Sequence, residues 1–121
     1  MSKQLPQKIL KPWGWELLYA LTDSYAGKII FVKEGHRLSL QYHRKKEETM
    51  YLFSGSIVFE TGDSPSELKC SVVVEGQSIH LPPNTLHRIK ANQDSMILEV
   101  STPELDDVTR LDDDYGRKRY E

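Results

Sequence analysis

Between Trp15 and Ser101 the apolar residues come in short runs rich in Ile, Val, Tyr and Phe, separated by Gly, Pro, Asn and Ser. Runs of this length with period-two alternation, closed by turn residues, predict β-strands. They fall at Trp15–Leu21, Lys28–Lys33, Leu38–Tyr42, Thr49–Phe53, Ser56–Thr61, Glu67–Val74, Ser78–Leu81, Leu86–Ala91 and Met96–Ser101. Turns are expected at Glu34-Gly35, Ser54-Gly55, Glu75-Gly76 and Pro82–Asn84, among others. No segment before the tail carries a helical period. Strands this closely spaced argue for an all-β sandwich or barrel. The expected organisation is one domain over residues 1–121, with an N-terminal arm (1–12) and a C-terminal tail (102–121).

Composition narrows the class. One hundred and twenty-one residues support a single modest core. A formal charge of -2 argues against nucleic acid or an anionic membrane as the main partner. No apolar run approaches the roughly 20 residues that span a bilayer, and the N-terminus lacks the apolar centre of a signal peptide. Cys70 has no second cysteine to pair with, which suits a reducing compartment. A cytoplasmic protein is expected.

Candidate chemistry concentrates between Gly35 and Gly55. Gln41 and His43 stand two apart in a predicted strand and so share a face. The run Arg44-Lys45-Lys46 reads as an exposed turn or rim, and Glu48 opens the next strand. An amide oxygen, an imidazole and a carboxylate would converge if the two strands are close. His87, two residues into the strand after the Pro82–Asn84 turn, is the candidate fourth donor. Two His, one carboxylate and one amide oxygen suit Zn, Mn, Fe, Co or Ni and offer no thiolate. With one negative ligand, a divalent ion keeps a net positive charge and remains a Lewis acid.

These stretches resemble the paired motifs of the cupin superfamily. The first runs Gly35, five residues, Gln41-x-His43, four residues, Glu48, six residues, Gly55, with Gln41 where that family usually has His. The second runs Gly76, five residues, Pro82-x-Asn84, two residues, His87, with Asn84 in place of Gly. Leu38-Ser39-Leu40-Gln41-x-His43 with Glu48 is similar to the isomerase domain of type II phosphomannose isomerases. Lys11-Pro12-Trp13-Gly14 and the tail from Leu105 to Arg117 resemble that branch's opening and closing segments. The resemblance implies a double-stranded β-helix, or jelly-roll barrel, and metal binding by Gln41, His43, Glu48 and His87, with zinc first among the candidate ions. It also implies that the isomerase-type domain stands here without the nucleotidyltransferase domain of bifunctional members.

A phosphosugar needs cations near the metal. Lys28 shares a strand face with Ile30 and Val32, and Arg110 lies where the resembled isomerases carry Arg. Arg110 would hold phosphate or stabilise an enediolate. The proton-transferring base is Glu99 or Lys28, and the pattern around Leu98 and Val100 leaves the side of Glu99 open. His36 and His80 are weaker ligand candidates. Trp13 and Trp15 read as packing residues, and the acidic runs near 104–107 and 112–114 read as solvated surface.

The function expected is metal-dependent aldose–ketose isomerisation of a sugar phosphate, as between mannose 6-phosphate and fructose 6-phosphate. The alternative is a metal cupin that binds a sugar or metabolite without turnover. Dioxygenase chemistry is disfavoured by Gln41, and nucleotide-sugar epimerisation by the metal set. A homodimer is expected, because sheet edges and the apolar segment Trp13–Leu21 need cover.

Overall fold

The computed structural model describes Lys3 and residues 5–117, and every regular element among them is a β-strand. In chain order these are β1 (Gln7–Lys11), β2 (Gly14–Leu21), β3 (Ala26–Val32), β4 (Leu40–Tyr42), β5 (Glu48–Ser54), β6 (Ser56–Gly62), β7 (Leu68–Val74), β8 (Ser78–Leu81), β9 (Leu86–Ala91), β10 (Ser95–Ser101) and β11 (Thr109–Asp112). They form two sheets, ordered β1-β2-β3-β10-β5-β8 and β11-β4-β9-β6-β7, with antiparallel pairing throughout. This is the all-β architecture expected from the alternation, in the jelly-roll form that the resemblance implies. Among the described residues no helix is long and apolar enough to cross a membrane.

Two strands lie outside the predicted set, one in the arm and one in the tail. β1 turns Gln7, Ile9 and Lys11 toward an open cavity, so its inward positions are largely polar and the alternation reads faintly. β11, Thr-Arg-Leu-Asp, is a short edge strand with one aliphatic residue. Neither offers the apolar pattern that marks a half-buried strand.

The core lies between the sheets and is built by Trp13, Val32, Leu52, Ile57, Ile89 and Ile97, all at most 3% exposed. Each such side chain contributes roughly 1.5–3 kcal/mol relative to exposure. Trp13 is thus a packing residue, as its sequence context suggests. Trp15 points the other way and stacks on Phe31 at 5.6 Å. The β5–β6 connection needs Gly55: its φ is 103°, and an added Cβ would lie 2.3 Å from Ser95 Oγ. Asn84 takes the left-handed conformation in the Pro-Pro-Asn turn, with φ 64°. Its N–H donates to the His43 carbonyl at 2.6 Å, which ties that turn to the end of β4.

Candidate metal centre

Three strands deliver the donors. Gln41 on β4 pairs directly with His87 on β9. His43 follows β4 by one residue, and Glu48 opens β5 in the opposite sheet. His43, Glu48 and His87 are all buried, and one ligand atom from each lies within 4.8 Å of the others. Glu48 Oε1 is 3.6 Å from His43 Nε2 and 3.5 Å from His87 Nε2. These separations are long for hydrogen bonds. They suit donors that share an ion at about 2.0–2.2 Å from each.

The other ring nitrogens are already used. His43 Nδ1 lies 2.6 Å from the Asp107 carbonyl and His87 Nδ1 lies 2.8 Å from the Thr85 carbonyl. Each Nδ1 donates to a carbonyl, which fixes the tautomer and leaves the Nε2 lone pair facing Glu48. Burial pushes the His87 pKa down, against the attraction of Glu48, so a neutral ring is favoured. Gln41 lines the same cavity, its amide nitrogen 3.5 Å from the Ser39 carbonyl. An oriented N/O set with one carboxylate fits a divalent ion, and these four residues would hold it.

Lys46 corrects the expected exposed turn. Its side chain is 6% exposed, with Nζ 2.9 Å from Glu48 Oε2 and 3.4 Å from Glu99 Oε2. Burial opposes its charge, but Glu99 and Glu48 outweigh burial and hold its pKa above the usual lysine value. Burial would also raise Glu48. Contact with His43 and the charge of Lys46 reverse that and hold its carboxyl well below the ordinary range. A parity signal in the sequence marks Lys46: positions 46, 48, 50 and 52 are all buried, so the inward register of β5 begins before the strand does.

Asp107 is a second residue read only as surface. Its carboxylate accepts the backbone N–H of Arg44, Lys45 and Lys46 at 3.1, 2.6 and 2.9 Å, while its carbonyl takes His43 Nδ1. One residue therefore orients a ligand and shapes the turn that sends Lys46 inward. Burial raises the Asp107 carboxyl, and the three N–H donors outweigh it and lower the pKa. The second acidic run is also paired. Asp112 meets Arg88 at 3.0 Å, Asp113 meets Arg117 at 2.9 Å and Asp114 meets Arg37 at 2.6 Å.

All seven sequence candidates, Lys28, Gln41, His43, Glu48, His87, Glu99 and Arg110, line one cavity of about 420 Å³. Glu99 faces inward beside Ile97, while Val100 faces out and is 55% exposed. Burial first, then the nearby Glu48 charge, pushes the Glu99 carboxyl up to about 7. Lys28 is ion-paired with Glu16 at 3.1 Å. Arg110 pairs in register with Gln41, so Arg110, Gln41 and His87 form one row across the sheet. Lys11 joins the same wall. Burial lowers its pKa, Glu16 offsets this, and Lys28, Arg110 and Arg117 lower it further. The weaker histidines lie elsewhere: His36 contacts the Tyr115 hydroxyl at 2.6 Å, and His80 contacts Glu47 on the outer surface.

The family model described as "Mannose-6-phosphate isomerase C-terminal" matches residues 1–113. The xanthan biosynthesis protein XanB of Xanthomonas campestris pv. campestris is 31% identical over 92% of this chain and 24% of its own length. The alginate biosynthesis protein AlgA of Pseudomonas aeruginosa is 32% identical over 91% of this chain and 23% of its own. The chain thus spans about a quarter of these relatives. Among solved structures, oxalate decarboxylase from Bacillus subtilis superposes with a TM-score of 0.76 at 20% identity, covering 88% of this chain and 30% of that one. KdgF from Halomonas sp. gives 0.70 at 17% identity, covering 86% of this chain and 92% of that one. These structural neighbours are cupins, and they establish the cupin jelly roll.

Proposed function

Because this chain belongs to the mannose-6-phosphate isomerase C-terminal family, we propose that it is a metal-dependent sugar-phosphate isomerase interconverting mannose 6-phosphate and fructose 6-phosphate. The observation that carries this reading is the cavity in which His43, Glu48 and His87 converge beside inward-facing Lys28, Lys46, Glu99 and Arg110. A divalent ion held by those ligands and Gln41, zinc first among the candidates, would polarise the substrate oxygens and stabilise negative charge developing on them.

The residues of the chain divide the remaining work. The reaction takes a proton from C2 of the aldose and returns it to C1 through an enediol, while one hydroxyl proton passes from O2 to O1. No oxidant is needed. Glu99 is assigned the proton-carrying role: its carboxyl is buried, lines the cavity with Lys28 and Arg110, and accepts from Lys46 at 3.4 Å. Lys28, already paired with Glu16, fits a phosphate-holding cation better than a base. Arg110 offers the planar donor set that matches a phosphate dianion. Lys46 sets a fixed cation against both carboxylates, Glu48 at 2.9 Å and Glu99 at 3.4 Å.

The test is metal analysis of the purified protein followed by a coupled isomerase assay with and without chelator. Turnover that chelation abolishes and metal restores is the expected result. Stoichiometric metal without turnover of mannose 6-phosphate would replace the isomerase with a metabolite-binding module.

A further inference from the structure

The buried serines of β10 have partners. Ser95 Oγ donates to the Gln93 carbonyl at 2.8 Å, and Ser101 Oγ donates to the Thr102 carbonyl at 2.8 Å. Ser39, just before β4, differs. It is 1% exposed, and its Oγ has no hydrogen-bond partner among the described residues. A buried hydroxyl with nothing to bond lowers stability, and alanine at the same place would not. Such a group points to a partner that arrives from outside the chain.

Ser39 precedes Gln41 by two residues and lines the same cavity. The Leu38 N–H donates to the Ile89 carbonyl at 2.9 Å, and Gln41 pairs with His87. Ser39 therefore sits one rung from the metal ligands, toward the core. The apolar lining of the cavity, Ile30, Met50 and Ile89, offers it nothing stronger than a thioether. Among the described residues Ser39 is the one hydroxyl in that lining. Its carbonyl lies 3.5 Å from Gln41 Nε2, a contact that does not involve the side chain.

We infer that Ser39 Oγ bonds a hydroxyl of the bound sugar, O3 or O4, and so decides which sugar phosphates the cavity accepts. The identity of the ligand rests on the proposed isomerase reading. In that reading O1 and O2 belong to the reacting end and the 6-phosphate to the cations. The hydroxyls on the carbons between them have no assigned partner. A serine hydroxyl both donates and accepts, so it can pair with a sugar hydroxyl whichever way that proton points. A site with a buried hydroxyl to satisfy rejects an analogue that lacks the matching group, whereas a purely apolar wall discriminates weakly. Ser39 is thus a specificity residue and takes no part in moving the proton.

The test compares wild type with Ser39→Ala in calorimetric titrations with mannose 6-phosphate and its 3-deoxy and 4-deoxy analogues. Wild type should favour mannose 6-phosphate over one of the two analogues by about tenfold. Ser39→Ala should bind mannose 6-phosphate about tenfold more weakly and bind that analogue as wild type does, so the preference disappears. Without sugar, the thermal midpoint of the variant should equal or exceed that of wild type, because no bond within the chain is lost. Its metal content should be unchanged. A variant that keeps the wild-type affinity and preference overturns the inference. So does a variant that is destabilised without sugar and still discriminates, since Oγ would then serve the fold through a held water. A wild type that binds no sugar phosphate is a different result: it removes the isomerase reading and this role with it.

Discussion

The two ends of the barrel interior are built by the same strands and differ only in which residue occupies the inward slot. Inward positions run Val32, Ile30, Lys28 on β3 and Ile97, Glu99 on β10. They run Leu52, Met50, Glu48 on β5, with Lys46 just beyond, and Ala91, Ile89, His87 on β9. Each strand is apolar at one end of its inward face and ionisable at the other. Backbone pairing and alternation continue unchanged across the boundary, so the fold tolerates either chemistry. What distinguishes the ends is cost. The aliphatic end gains free energy from burial, whereas each buried charge at the other end needs a partner to offset its desolvation. The dense pairing of Glu48, Lys46 and Glu99 is that compensation, and it maintains a set of groups whose value is chemical rather than structural.

The sharpest way to break this comparison is to remove a donor. His43→Ala or His87→Ala should lose most bound metal, a drop of about a hundredfold or more in affinity, because each ring is a pre-oriented ligand. Gln41→Ala should lose less, since a neutral amide oxygen is a weak donor. Metal analysis by mass spectrometry reads all three. Stoichiometric metal in the His43/His87 double variant would remove the site assignment. The next largest effect is on turnover alone. Glu99→Gln should slow isomerisation by about 10²–10⁴-fold while metal content stays at the wild-type level. A Glu99→Gln enzyme with normal kcat would take the proton-carrying role away from this residue.

Much of the ionisable end was legible because its residues interrupt an apolar register at spacings shared between two separated motifs. Gln41, His43, Glu48 and His87 stand out for that reason, and the family match supports the motif reading. Lys46 was hidden by its neighbours. Beside Arg44 and Lys45 it looks like one more solvated charge, and only its parity with Glu48 and Met50 shows otherwise. Asp107 could not be found by pattern at all. Its role depends on a carboxylate reaching three backbone N–H groups more than sixty residues earlier in the chain, and long-range contacts of side chain to backbone leave no periodic trace. β1 and β11 carry a weak signal for a related reason: Gln7 and Lys11 flank Ile9 on the inward face of β1 and Arg110 faces the cavity from β11, so these strands lack the aliphatic row that announces the others.

At the aliphatic end the expected effect is on stability and not on chemistry. Ile97 is fully buried, two residues from Glu99 on the same face of β10. Ile97→Ala should cost about 2–5 kcal/mol in chemical denaturation, through lost burial and the cavity left behind. Metal content should be unchanged where the protein is folded. If Ile97→Ala instead released the metal as readily as His87→Ala, the two ends would be one cooperative unit, and the division drawn here would fail.

The smallest effect tests the join between chemistry and fold at Asp107. Its carboxyl has a lowered pKa, so the sign follows directly. The stabilisation is fully present above the unfolded value of about 3.9 and is lost as pH falls through the lower folded value. Asp107→Asn removes the charge while keeping the shape of the side chain. The half-exposed setting screens part of the interaction, so the loss near neutral pH should be about 1 kcal/mol. The difference between wild type and Asp107→Asn should then begin to shrink below about pH 4, where the carboxyl of the unfolded chain gains its proton, and close as the folded carboxyl follows at lower pH. The His43 contact uses the backbone carbonyl and should survive. Metal affinity should therefore fall only as far as the Arg44–Lys46 turn loosens around Lys46, by about tenfold at most. Denaturation at pH 7 and pH 3.5, with metal titration of both proteins, measures each part. A stability difference that grew on acidification would mean that Asp107 does not hold this turn through its charge.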